Sequence, residues 1–197
     1  MSSFLAGAVA IGLDALEVIV ISLTIFVISY IFVFQNHQVI GDSMFPNFLD
    51  KEYVLTDKLT YMFVRPPVRG EVVIFKYPKA PEYEYIKRII GLPGEILKVK
   101  EGKIWLQKQD ESWQQLDEGN YLKSSVITFG RTTIKDDTPF KIPTDSYVVL
   151  GDNREVSSDS REWGIVSKNL LIGRALFRLW PPSKLGLVIK NPTYQIN

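Results

Sequence analysis

At 197 residues, 46% of them hydrophobic, the chain has the material for one packed domain with a smaller lobe, and it is not a disordered protein. Its 23 basic and 22 acidic residues leave a net charge of +1, which provides no field for drawing in nucleic acid, so no nucleic-acid partner is expected. With no cysteine and a single histidine, disulfides, thiolate nucleophiles and Cys- or His-based metal sites are excluded, and neither a metal nor another cofactor is expected.

The first predicted element is an apolar helix. Residues 15–34, ALEVIVISLTIFVISYIFVF, carry one charge, Glu17, and at helical rise would reach about 30 Å, so they read as a transmembrane span within an N-terminal segment 1–34. A cleavable signal peptide fits poorly, because the start MSSFLAGAVAIGLDAL has no Lys or Arg and the run exceeds an h-region of about 7–15 residues. A buried soluble helix would need a core on every side. The first basic residue is Lys51, so flanking charge sets no orientation.

From Gln35 the texture changes to short β-type runs punctuated by Gly and Pro, which predicts a mainly β domain over 35–197. The strands are EYVLTDKL, EVVIFKY, YIKRIIGL, EILKVK, KIWLQ, SYVVLGD and LIGRALFRLW. LKVKEGKIWL alternates on both sides of Glu101-Gly102 and reads as a tight hairpin, while PPVRG at 66–70 and LPG at 92–94 read as turns. Residues 108–137 are polar with weak periodicity and read as an inserted lobe. No repeat or low-complexity tract occurs.

Three stretches carry candidate chemistry. GDSMFP at 41–46 displays Ser43 in a turn, but a serine hydroxyl is a poor nucleophile until a base takes its proton. A lysine can be that base if burial depresses its pKa from about 10.4. Most lysines lie in polar stretches. Lys87 lies in EYIKRIIGLPG among Tyr85, Ile86, Ile89 and Ile90, where a strand can press it against apolar surface, with Arg88 pointing the opposite way. A lysine on the exposed face of a half-buried strand is the plainer reading of the same pattern. The third stretch, VVLGDNREVSSDSREWG at 148–164, holds Asp152, Arg154, Ser157, Asp159 and Arg161 in a loop that Asp–Arg pairing can make rigid.

GDSMFP, RGEVVIF, YIKRIIGLPGE and GDNREVSSDSR occur in this order after an apolar span, and together they resemble the boxes of the bacterial type I signal peptidases, or leader peptidases. The resemblance covers most of Gln35 to Trp180. It implies that Ser43 is the nucleophile, Lys87 the general base, Ser157 a hydroxyl that orients the lysine, and Asp159 with Arg161 a supporting ion pair. Asp152 and Arg154 match positions that hold the same loop. Two positions depart from the family's pattern. Asn47 and Phe48 stand where Thr-Leu is usual, and Gly41 stands where some members have an oxyanion-binding serine. Oxyanion stabilisation then falls to the Ser43 backbone N–H and a water or neighbouring amide.

The resemblance implies a single-pass membrane serine endopeptidase with an extracytoplasmic catalytic domain, acting on the signal peptides of exported preproteins. Only eight residues separate Phe34 from Ser43, which sets the nucleophile near a bilayer surface. Met44, Phe45 and Ile86, with Phe48 and LTYMFV at 59–64, are the candidates for a substrate- or lipid-facing apolar surface. Two other readings use the same residues. A self-cleaving Ser–Lys protease would share the β fold, but no helix-turn-helix segment is present. A non-enzymatic, membrane-tethered β domain acting as a secretion adaptor would leave the serine and lysine incidental. A penicillin-binding protein is excluded, since no serine has a lysine three positions later. His37 reads as an amphipathic residue at the membrane exit and not as the base.

Overall fold

The computed structural model describes residues 2–188, and the side chains of residues 7, 11–27 and 35–188. The chain divides into two compact units, Met1–Gln35 and Asn36–Asn197. The first consists of one helix, α1 (Ser2–Val33), whose apolar side chains from Ile11 to Val27 are exposed all round. Among the described residues no helix is long and apolar enough to cross a membrane, and of the expected span 15–34 the side chains of 28–34 lie outside the described residues.

The second unit is β-rich, as its alternating and apolar runs predict. The strands are β1 (Phe34–Gln38), within which the boundary between the units falls, β2 (Tyr53–Asp57), β3 (Val72–Tyr77), β4 (Ala80–Gly91), β5 (Ile96–Lys100), β6 (Lys103–Gln107), β7 (Trp113–Gln115), β8 (Phe140–Lys141), β9 (Ser146–Leu150), β10 (Val166–Ser167), β11 (Leu171–Trp180) and β12 (Gly186–Leu187). A short helix, α2 (Ser160–Trp163), follows the 151–159 loop. The large sheet runs β1-β2-β11-β3-β4-β9-β10, with β12 also paired to β11, and the small one runs β7-β6-β5-β8.

The central strands bury both faces, which explains why β3 and β9 read as continuous apolar runs. In β3, Val72 and Ile74 join Met44, Phe48, Val54 and Ala175 in one cluster, while Val73 and Phe75 join Ile89, Tyr147, Val149 and Trp163 in another. The small sheet packs Leu97, Val99, Ile104 and Leu106 against Ile90 of β4 and Val148 and Leu150 of β9, so its core continues that of the large sheet. The β5–β6 hairpin turns at Glu101 and Gly102, both at positive φ (53° and 74°), between the paired Lys100 and Lys103.

Residues 108–137 contain only the short strand β7 among turns. Weak periodicity is what a segment shows when it packs by single anchors, here Leu116, Tyr121, Leu122 and Ile134, and not by a regular face.

Candidate active site

Ser43 is raised on a turn that its neighbours pin from below. Val39, Met44 and Phe48 are buried in one cluster with Val54 of β2, Val72 and Ile74 of β3 and Ala175 of β11, and Phe48 N donates to Met44 O at 2.9 Å, closing the turn. Met44 is fully buried, which corrects its expected place on an apolar surface: it is the anchor that holds Ser43 up. Phe48 is likewise core, and Ile86 is half-buried against the same cluster. Phe45 is 49% exposed, and Met62, Phe63 and Val64 of the π-helical turn Thr60–Val64 are exposed as well.

Lys87 is paired with Val73 of β3, while the β9 ladder on the other side of β4 ends at Arg88↔Leu150. Its side chain leaves one face of β4 and extends to the Ser43 turn. There Lys87 Nζ stands 2.7 Å from Ser43 Oγ and 3.0 Å from the Ile86 carbonyl oxygen. The lysine is 4% exposed, and its amine lies 5.4 Å from the Tyr85 ring centroid. The plainer reading of an exposed strand lysine therefore fails. Burial pushes its pKa down to about 8, against the opposing pull of the Asp159 and Asp152 carboxylates. A neutral amine at hydrogen-bond distance can take the serine's proton.

Arg88 points to the other face, as strand alternation requires, and it too is buried. Its guanidinium grips Asp152 through Nε–Oδ1 at 2.7 Å and Nη2–Oδ2 at 2.6 Å, donates from Nη1 to Gly70 O at 2.7 Å, and lies 4.1 Å from the Tyr121 ring centroid. Asp152 is thus paired with the lysine's neighbour across the sheet. Two cations side by side in the otherwise apolar Ile86–Ile90 end of β4 were the available signal that buried carboxylates must meet them.

Asp159 and Arg161 form a buried two-pronged pair, Nε–Oδ1 and Nη2–Oδ2 both at 2.8 Å. Asp159 also caps α2 through Arg161 N and accepts from Gly151 N at 3.1 Å. Arg161 Nη2 donates to Arg154 O at 2.7 Å, closing the loop on itself. Arg154 turns outward to the inserted lobe, where it meets Glu118 Oε2 at 3.1 Å and Thr128 Oγ1 at 2.7 Å. Backbone bonds add to this, since Thr133 N and Ile134 N donate to Arg161 O. Nothing in the lobe's sequence marked Glu118 or Thr128, because the partner of each lies on a distant segment.

Ser157 is fully buried, and its Oγ has no hydrogen-bond partner among the described residues. The expected bond to Lys87 is not made in this arrangement, where the amine is engaged by Ser43 and Ile86. Ser157 nevertheless borders the nucleophile: a Cβ added to Gly151 would stand 2.1 Å from Ser157 Oγ and 2.4 Å from Ser43 O. Asn153, to which no role was attached, stitches the two loops together by donating from N to Ser43 O at 3.0 Å and from Nδ2 to Asp42 O at 3.1 Å. The backbone N–H of Ser43 makes no hydrogen bond among the described residues. His37 is held elsewhere, with Nδ1 2.7 Å from Thr56 Oγ1 and Nε2 3.0 Å from Glu84 Oε2. A cavity of about 380 Å³ opens on the Arg88 side, against Asn47, Arg88, Arg174 and Arg178, and its lining includes neither Ser43 nor Lys87.

A loop serine set against a buried lysine amine on a β scaffold is the arrangement of a Ser–Lys hydrolase. The sequence profile described as "Signal peptidase, peptidase S26" matches residues 13–180. A signal peptidase I of Leptolyngbya laminosa is 35% identical over 171 residues, covering 83% of this chain and 77% of the relative. A probable signal peptidase I-2 of Synechocystis is 35% identical over 162 residues, covering 80% and 68%. A signal peptidase IB of Staphylococcus aureus is 33% identical over 182 residues, covering 87% and 92%. The chain belongs to the signal peptidase family, peptidase S26, and is a serine endopeptidase.

Proposed function

We propose that the protein cleaves signal peptides from exported preproteins by a Ser43–Lys87 dyad, in a domain held at the outer face of a membrane by α1. The observation that carries the dyad is the 2.7 Å approach of a buried Lys87 amine to Ser43 Oγ. Neutral Lys87 takes the hydroxyl proton as Ser43 Oγ bonds to the scissile carbonyl carbon. The carbonyl oxygen becomes an oxyanion, for which the Ser43 N–H, unbonded among the described residues, is the donor at hand. Collapse of the intermediate breaks the C–N bond, and the lysine's proton goes to the departing amine. Water, deprotonated by the same lysine, then hydrolyses the Ser43 ester and restores both groups. Ser157 orients the amine when it turns from Ile86 O, and the Asp159–Arg161 and Asp152–Arg88 pairs hold the loop and strand in register.

Membrane attachment is supported by the character of α1. Its 32 residues reach about 48 Å at helical rise, and Leu16, Val18, Ile19, Val20, Ile21, Leu23, Ile25 and Phe26 are all exposed, an all-round apolar surface that only lipid covers well. Exposed Phe45, Met62, Phe63 and Val64 supply an apolar surface on the second unit for lipid or substrate.

Cleavage of a purified preprotein in detergent micelles, comparing wild type with Ser43→Ala, tests the reading. Wild type is expected to release a mature chain cut after small residues at the first and third positions before the scissile bond, and the variant none. Binding without cutting by the wild type would favour the adaptor reading, and cleavage only of the chain itself the self-cleaving one. Protease added outside spheroplasts should digest the domain; its protection until the membrane is breached would reverse the topology.

A further inference from the structure

Asn47 stands where the nucleophile turn, the lysine strand and the inserted lobe meet. A side-chain amide has two N–H protons on one nitrogen, and both are used here: Nδ2 donates to Tyr121 O and to Asp152 Oδ2, each at 2.8 Å. The Asn47 backbone carbonyl accepts from Arg178 Nη2 at 2.8 Å, so main chain and side chain are both held. Asp152 is clamped at the same time by Arg88, the residue next to Lys87 in β4. Asn47 follows Ser43 by four residues, in the turn that Phe48 N closes on Met44 O. A second connection between nucleophile and base therefore runs through Asn47, Asp152 and Arg88, besides the direct contact.

Given the Ser43 and Lys87 roles proposed above, we infer that Asn47 is a positioning residue for the dyad, setting the seat of the Ser43 turn against β4 through the Asp152–Arg88 pair. The two groups it faces are both acceptors, so only a residue offering two donors satisfies them. Alanine removes one donor from the Tyr121 carbonyl and one from Asp152 Oδ2. Threonine has one O–H and meets one acceptor at most. Aspartate sets a carboxylate against a carboxylate and offers no donor at all. Asn47 bonds to Tyr121, Asp152 and Arg178 and not to Ser43 Oγ or Lys87 Nζ, so its influence passes through the groups it holds.

The test uses the full chain in detergent with a purified preprotein, recording kcat, KM, the pH profile of kcat and the thermal midpoint for wild type, Ser43→Ala, Asn47→Ala, Asn47→Thr and Asn47→Asp. Asn47→Ala is expected to lower kcat about 10- to 100-fold, as a small misplacement of reacting groups does, with KM within about twofold of wild type. Asn47→Thr should recover part of the loss. Asn47→Asp should move the rising limb of kcat to higher pH, because the added negative charge favours protonated Lys87. A merely structural clasp would lower the thermal midpoint while leaving kcat of the folded Asn47→Ala and Asn47→Thr variants at the wild-type value. Wild-type kcat in folded Asn47→Ala, a rise in KM alone, or an unmoved limb in Asn47→Asp overturns the inference. If Asn47→Ala does not fold, wild-type kcat and limb in the folded Thr and Asp variants overturn it equally. A wild type that does not cleave, or a Ser43→Ala that does, removes the dyad as well, whereas an active wild type matched by Asn47→Ala removes only the role of Asn47.

Discussion

Burying Lys87 costs stability wherever its amine is charged, and it is this burial that makes the amine a base. Its folded pKa of about 8 lies below the ordinary lysine value of 10.5, so between those pH values the unfolded chain binds more protons and stability rises with pH. Below about pH 8 the full cost of burying the charge is present, on the order of 3 kcal/mol. Lys87→Met should therefore be more stable than wild type at pH 7, by about 1–3 kcal/mol in urea titrations, with the gap narrowing toward pH 10. A gap that widens with pH would contradict the burial argument. Activity follows the same group: kcat should fall as pH drops through about 8, where the amine gains its proton. Lys87→Arg should be folded and inactive, since a guanidinium stays protonated. His37→Ala should keep most activity, because its ring is engaged with Thr56 and Glu84.

At the scale of the element, the 151–161 loop is held by charge pairs whose partners lie on three different segments: Arg88 on β4, Glu118 in the lobe, and Asp159 with Arg161 inside the loop. Removing one member of a buried pair leaves the other charge unmatched. Asp159→Ala, which also strips the α2 cap and the acceptor of Gly151 N, should cost about 3–5 kcal/mol, read as a lower urea midpoint. Arg161→Ala should behave similarly, and in both the activity loss should track loop disorder. Ser157→Ala removes a hydroxyl that makes no hydrogen bond here, so its stability should change by less than about 1 kcal/mol while turnover falls. Equal melting of the three variants with equal losses of activity would refute this division.

At the scale of the whole molecule, every residue of the three hydrophobic clusters formed by the described residues lies between Val39 and Val188. A chain of residues 36–197 should fold with a thermal midpoint within about 5 °C of the full protein in detergent. It should also cleave a detergent-solubilised preprotein, and lose the flotation with lipid vesicles that α1 confers. Loss of cooperative melting in the shortened chain would show that the units share a core. Flotation equal to that of the full protein would assign membrane binding to the second unit's exposed apolar residues instead.

The amino-acid sequence by itself determined whatever depends on local pattern. Alternation and β-branching placed the seven longer strands from β2 to β11, and Glu101-Gly102 declared its hairpin because two positive-φ positions side by side favour such residues. The apolar setting of Lys87 and the turn around Ser43 were legible as candidate chemistry for the same reason. The very short strands β7, β8, β10 and β12 were not legible, since two or three residues carry no period and form only where a longer neighbour offers an edge. Only the tertiary structure decided which carboxylate meets which arginine. Asp152 and Arg154 are near in sequence, yet one pairs with Arg88 and the other with Glu118, because burying each charge requires a partner of suitable geometry and not an adjacent one. It likewise turned Met44 from a surface residue into an anchor and gave Asn47 two acceptors, both consequences of which distant segments close over the 41–48 turn.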